Sequence, residues 1–161
     1  MSLDKHDAMQ RLRASGTVAV MRGADADTLV KTVDALRAGG VTAIEITADN
    51  PDALEMIDAV SGSFDDEVIV GAGTVLDGET ALDTIRAGAE FVVGPTVELD
   101  VVDVCNRYGT LVAPRAFTPT EALTIFVAVK TTAGRTYLKH ASILSSEVVC
   151  WRFQDSYFLT K

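Results

Sequence analysis

The chain has 161 residues, 48% of them hydrophobic, and its 23 acidic against 14 basic residues give a formal net charge of −9. That length fits one domain with a buried core, and no apolar run approaches the roughly 18–20 residues of a membrane helix. A charge this negative repels phosphate backbones, so neither a membrane nor a nucleic acid is an expected partner.

The opening Met-Ser-Leu-Asp-Lys-His-Asp is charged from its fourth residue and lacks the apolar stretch of a secretory leader. Cys105 and Cys150 have no CxxC spacing, so neither a disulfide framework nor a zinc site is expected, and a reducing cytoplasm is the expected compartment. His6 and His140 are far apart, without carboxylate or Cys partners at ligand spacing, and read as surface histidines. No metal is expected.

Along the chain two periodicities alternate. Short apolar runs at Thr17–Met21, Thr42–Thr47, Val68–Gly71, Phe91–Gly94 and Thr110–Ala113 read as strands buried on both faces. Between them, stretches of 3.6-residue period predict helices over Asp25–Ala38, Pro51–Val60, Gly78–Ala87, Glu98–Arg107 and Pro119–Val127. Pro51 and Pro119 suit a first helical turn, and Gly39–Gly40 and Gly88 suit left-handed helix ends. Arg37-Ala-Gly-Gly precedes one strand and Arg86-Ala-Gly-Ala another 49 residues later, a weak internal repeat two βα units apart. Right-handed crossovers then dictate a parallel sheet. The fold class is α/β; periodicity alone leaves a barrel and an open doubly wound sheet both standing.

The rhythm stops near residue 128. Residues 1–128 carry 9 of the 14 Lys and Arg but 21 of the 23 Asp and Glu, and 11 of the 12 glycines. The next strand is due near 130–135, where the chain instead reads Lys130-Thr-Thr-Ala-Gly-Arg-Thr-Tyr-Leu-Lys-His. Two segments result: 1–128, and a divergent tail, 129–161. Five or six βα units cannot close an eight-stranded barrel, so the first and last strands are expected to leave unpaired edges and an aggregation-prone chain.

Polar residues gather where strands end. Glu45 interrupts the apolar Ala-Ile-Glu-Ile-Thr; it is either a structural carboxylate paired with an arginine or a buried acid suited to proton transfer. Arg22, Thr74 and Pro95 follow the first, third and fourth strands at matching depth, the end where α/β barrels carry their sites. Gly71-Ala-Gly-Thr-Val-Leu invites a dinucleotide fingerprint, but Leu76 stands where its third glycine belongs. Asp25/Asp27 and Asp65-Asp66-Glu67 read as solvated helix ends and loops.

Gly39-Gly-Val-Thr-Ala-Ile-Glu-Ile-Thr, Gly71-Ala-Gly-Thr-Val-Leu, Arg86-Ala-Gly-Ala-Glu-Phe-Val-Val-Gly-Pro and Pro114-Arg-Ala-Phe-Thr-Pro-Thr-Glu resemble, in order, the 2-keto-3-deoxy-6-phosphogluconate and 4-hydroxy-2-oxoglutarate aldolases over about residues 10–127. The resemblance implies a (β/α)8 barrel, incomplete here, a homotrimer, and a class I lyase that needs no metal or cofactor. Such an enzyme splits a 2-keto acid into pyruvate and an aldehyde through a lysine Schiff base. It further implies Glu45 as the general acid/base, Thr74 and Arg22 as holders of the pyruvate carboxylate, and Pro95 as a shaper of the pocket. The sequence departs from the family twice. Asp49 stands where many members have an arginine. The lysine of Lys-x-Phe-Pro, due near 134, is replaced by Gly134, leaving Lys130 and Lys139 as weak substitutes, and a frameshift or rearrangement near codon 128 accounts for this most simply. Impaired catalysis is expected, the alternative being a non-catalytic remnant or carboxylate-binding α/β module.

Overall fold

The computed structural model describes residues 5–23 and 25–128, apart from the Phe126 side chain, together with the backbone of 149–152. The expected strands appear as β1 (Thr17–Met21), β2 (Ala43–Thr47), β3 (Ile69–Gly73), β4 (Phe91–Gly94) and β5 (Leu111–Pro114), and a final strand, β6 (Val149–Arg152), joins them. Helices α1 (Lys5–Ser15), α2 (Ala26–Ala38), α3 (Ala53–Phe64), α4 (Gly78–Arg86), α5 (Leu99–Tyr108) and α6 (Pro119–Ala128), with a short 3-10 turn at Asp65–Glu67, complete the described elements. Pro51 lies in a turn two residues ahead of α3 rather than in its first turn.

The sheet order is β5-β4-β3-β2-β1-β6, with β1 to β5 all parallel. The expectation of an open edge at the first strand is corrected here: β6 pairs antiparallel with β1, Thr17 opposite Arg152 and Val20 opposite Val149. A strand returning antiparallel needs no right-handed crossover, so it can cap an edge that another βα unit would otherwise continue. Among the described residues β5 and β6 are then the two edge strands.

Because side chains alternate along a strand, the two faces of the sheet build different cores. Ala19, Met21, Ile44, Ile46, Val70, Ala72, Val92 and Val112 pack under Leu29 and Val33 of α2, Met56, Ile57 and Val60 of α3, and Val101, Val102 and Cys105 of α5. The opposite face presents Val18, Ala43, Ile69, Phe91 and Leu111 to Ala8, Met9 and Leu12 of α1. Helix α1 is tied down at the end where the strands begin. Arg11 donates to Glu90 at 2.7 Å and to the Asp66 carbonyl at 3.0 Å, and Lys5 donates to Asn106 at 2.8 Å. Burial pushes the Glu90 carboxyl above its usual range while the Arg11 guanidinium pulls it back.

The repeated Arg-Ala-Gly segments end equivalent helices. In the first the left-handed turn falls on Gly40 (φ 90°), in the second on Gly88 (φ 114°), one position earlier in the motif. Helix starts are capped by acids: Asp25 accepts from the Thr28 N–H and Asp77 from the Thr80 N–H, at 2.9 and 2.7 Å. These backbone donors hold both carboxyls below the ordinary aspartate value of 3.8, and the N–H groups of Phe117 and Thr118 do the same to Glu121.

A carboxylate whose folded pKa lies below its unfolded one stabilises fully above the unfolded value and loses that contribution as the pH falls through the folded one. The urea midpoint should therefore decline as the pH drops below about 4, with Glu90, shifted the opposite way, partly offsetting the fall. Asp77→Ala should cost about 1 kcal/mol at neutral pH and progressively less in acid.

Gly71 supplies a packing test. A methyl group there would stand 2.4 Å from the Phe91 ring, so Gly71→Ala should destabilise the chain by about 1–3 kcal/mol in the same titration.

Candidate active site

Strand β2 lies inside the sheet between β1 and β3, and all five of its residues are buried. Alternation sends Ala43, Glu45 and Thr47 to the α1 side and Ile44 and Ile46 to the helix-covered side. Only Ala43 meets α1. Towards the carboxyl end, that face carries Glu45, 4% exposed, and then Thr47, 1% exposed. A carboxylate here needs room, and β3 provides it. Gly71 stands opposite Glu45 in register, and a Cβ on Gly73 would lie 2.1 Å from Glu45 Oε1 and 2.9 Å from its Cγ. The glycines of Gly-Ala-Gly therefore serve close packing, Gly71 under Phe91 and Gly73 under Glu45. They lie inside a strand, and α4 begins only at Gly78, so no glycine turn opens onto a helix N-terminus as a dinucleotide site requires.

Leaving β3, the chain turns at Thr74 with φ of 58°. A β-branched residue in the left-handed region is an outlier that costs on the order of 1–3 kcal/mol and persists only where its neighbours impose it. Here they do: Gly73 accepts from the Ala48 N–H at 2.8 Å, and the Val75 N–H donates to Val93 at 3.2 Å with Val75 itself fully buried. The ends of β2, β3 and β4 are thus laced together around Thr74. Pro95, half-buried, follows β4, where the Arg115 N–H binds the Gly94 carbonyl at 3.0 Å.

Arg22 extends β1 into solvent. With Gly23, Asp25, Thr47, Asp49, Asn50, Pro51 and Asp52 it lines a cleft of about 560 Å³ at the carboxyl ends of β1 and β2. Glu45, Thr74 and Pro95 do not line it. The structure therefore groups the sequence candidates in two: Glu45 with Gly73 and Thr74 in the sheet, and Arg22 in the cleft. Thr47, two residues beyond Glu45 on the same strand face, joins the groups. Pro95 stands at the end of β4.

Lys130 and Lys139 lie outside the described residues, as does His140. His6 is exposed and shares a 2.8 Å contact with Gln10. Among the described residues no group of three or more His, Cys, Asp or Glu is arranged to hold a metal ion. Burial pushes the Cys105 thiol up to about 12, so it is a packing residue and not a nucleophile. Sequence reasoning passed over Thr47 and the role of Gly73; the period-two spacing of Glu45 and Thr47 was the available signal for the first.

The model of the KDPG and KHG aldolase family matches residues 8–142. The chain belongs to this family. It is 32% identical over 111 residues to the 2-dehydro-3-deoxy-6-phosphogalactonate aldolase of Escherichia coli K12, covering 69% of this chain and 54% of that protein. To the 2-dehydro-3-deoxy-phosphogluconate aldolase of Treponema pallidum it is 36% identical, over 71% of this chain and 53% of the relative. The crystal structure of the 2-keto-3-deoxy-6-phosphogluconate aldolase of Zymomonas mobilis ZM4 with 3-phosphoglycerate superposes with a TM-score of 0.67 at 26% identity, over 74% of this chain and 56% of that one. The chain thus spans about half the length of the curated relatives it matches. Its parallel sheet is that of a partial aldolase-type barrel.

Asn tolerates the left-handed region that Thr resists. Thr74→Asn should therefore raise stability by about 0.5–1 kcal/mol in urea unfolding.

Proposed function

We propose that residues 8–128 form the keto-acid-binding and proton-transfer part of a class I aldolase acting on 2-keto-3-deoxy-6-phosphogluconate or 4-hydroxy-2-oxoglutarate, and that cleavage by this chain is impaired. The reading rests above all on Glu45, a carboxylate in an otherwise apolar strand, folded over Gly73 beside the left-handed Thr74. In this chemistry a lysine amine attacks the keto carbon and expels water to give an iminium. Removal of the C4 hydroxyl proton then breaks the C3–C4 bond, releasing the aldehyde. The remaining enamine takes a proton at C3 and is hydrolysed to pyruvate and free amine. Glu45 is the group assigned to move these protons, since its backbone is fixed mid-sheet and water has little access to it. Arg22, in the cleft, presents forked donors suited to the pyruvate carboxylate; Thr74 and Pro95, which the family resemblance implies as its other neighbours, stand after β3 and β4, outside that cleft.

No cofactor enters this scheme. The amine is the weak link, because Lys-x-Phe-Pro does not occur in the 161 residues and Gly134 stands at its expected place. Lys130 and Lys139 both fall inside the family match and remain the substitutes. That substitution of glycine for lysine favours a second reading, a carboxylate-binding module without turnover. A homotrimer in the cytoplasm is the assembly and compartment this proposal carries with it.

Borohydride reduction in the presence of pyruvate, followed by peptide mass spectrometry, tests both readings. The expected result is pyruvate binding with a substoichiometric adduct on Lys130 or Lys139. A stoichiometric adduct on either lysine would show an imine-forming amine fully in place and overturn the impaired reading, and bound pyruvate with no adduct at all would leave the binding module.

A further inference from the structure

Helix α6 differs from its neighbours on the side turned away from the sheet. Helices α4 and α5 present Glu79, Asp83 and Arg86, and Asp100, Asp103 and Arg107, to solvent. At the spacing α5 uses, α6 presents Thr120, Leu123 and Val127, and Leu123 is 64% and Val127 72% exposed. These two apolar residues lie one turn apart, while Ile125 on the opposite side of the helix is fully buried. A helix that is apolar on both sides is one that buries both.

The course of the chain points to the cover. Helix α6 ends at Ala128, whose carbonyl accepts from Asn106 Nδ2 at 2.9 Å, and Lys5 of α1 donates to Asn106 Oδ1 at 2.8 Å. The helix therefore ends level with α1, where the strands begin. Strand β6 starts at Val149 opposite Val20, towards the other end of β1. Residues 129–148 thus begin two positions after Val127 and have to regain the height of the sheet before β6. A ten-residue helix such as α6 rises about 15 Å, and a chain the length of 129–148 reaches about 65 Å when extended, so a return along α6 is well within its span.

Charge favours the same return. Residues 1–128 carry 9 basic against 21 acidic residues, whereas 129–148 hold Lys130, Arg135 and Lys139 against the single Glu147. Exposed Asp103 lies one turn before Asn106, the residue that reaches the end of α6, so a carboxylate flanks that helix. Ala133-Gly134 suits a reversal, and Tyr137-Leu138 is the first adjacent pair of large apolar residues after it. A second copy fits this face less well. It would bring a net charge of −9 against −9, and two side chains fall far below the roughly 800 Å² per partner of a stable interface.

We propose that residues 129–148 return along the outer side of α6, setting Tyr137 and Leu138 against Leu123 and Val127 and their basic residues beside the acidic flank of α5. The proposal goes beyond the aldolase reading and does not depend on it.

Disulfide trapping and proteolysis of the full chain test it. Under copper–phenanthroline, Leu123→Cys/Leu138→Cys should form a bridge within one chain, located by peptide mass spectrometry, at least about tenfold faster than Asp83→Cys/Leu138→Cys, whose other thiol stands on α4. Leu123→Asp/Val127→Asp should speed tryptic cleavage after Arg135 and Lys139 by about tenfold or more, because an undocked segment is open to the protease. Absence of the bridge, equal bridging from α4 and α6, or cleavage unchanged by the two aspartates overturns the proposal. Bridging between chains in place of bridging within one also overturns it, and makes a second copy the cover.

Discussion

A carboxylate built into the middle of an apolar parallel sheet must be given space and surroundings, or the strand that bears it would not be buried. Glu45 obtains its space from a missing side chain on the neighbouring strand: Gly73 leaves open the volume that Glu45 Oε1 and Cγ occupy. Much else at this end of the sheet follows from that contact. Gly73 ends β3, the next residue must turn sharply, and the turn forces Thr74 into the left-handed region. The Gly73 carbonyl in turn receives the Ala48 N–H, which fixes where the chain leaves β2 and hence where Thr47 and Asp49 stand. One packing contact between adjacent strands thereby positions both groups of site residues.

The opposite end of the sheet is built for stability. Helix α1 covers Val18, Ala43, Ile69, Phe91 and Leu111, and its Arg11 and Lys5 bind groups ahead of β3 and β4 and on α5. The face that holds Glu45 is thus closed below by α1 and left open above. That division, a packed floor and a polar upper rim, is how α/β barrels separate folding from chemistry.

The alternation of helix and strand was plainly legible, because strands buried on both faces are short, continuous apolar runs with no competing period. Helix α1 was not. Lys5, His6, Asp7, Gln10, Arg11 and Arg13 dominate its composition, yet it buries Ala8, Met9 and Leu12 and even the stem of Lys5. An apolar stripe of three residues is too narrow to stand out against so many charges. Glu45 was readable from its apolar neighbours, and Arg22, Thr74 and Pro95 from their places after strands. The reason for Gly71 and Gly73 was hidden, since their partners, Phe91 and Glu45, come from other strands and only register brings them together. The left-handed backbone of Thr74 was hidden for the same cause: local preference argues against it, and tertiary contacts override that preference.

The distribution of the parts along the chain has a chemical consequence. Glu45, Gly73, Thr74, Arg22, Thr47 and Asp49 all belong to the first three βα units, and neighbouring elements hold them by short-range pairing. The proposed reaction would draw its imine-forming amine instead from the chain after β5, outside the described residues. On the proposed reading, recognition of a carboxylate would require only the early units, whereas covalent chemistry requires an amine within bonding distance of the keto carbon, in apolar surroundings that lower its pKa. The two capacities are therefore physically separable in this fold. Loss or displacement of the amine removes turnover while leaving the charge pattern of the cleft intact, and that pattern, one arginine among three aspartates, is a property of this chain's own sequence and not of the reaction its relatives perform.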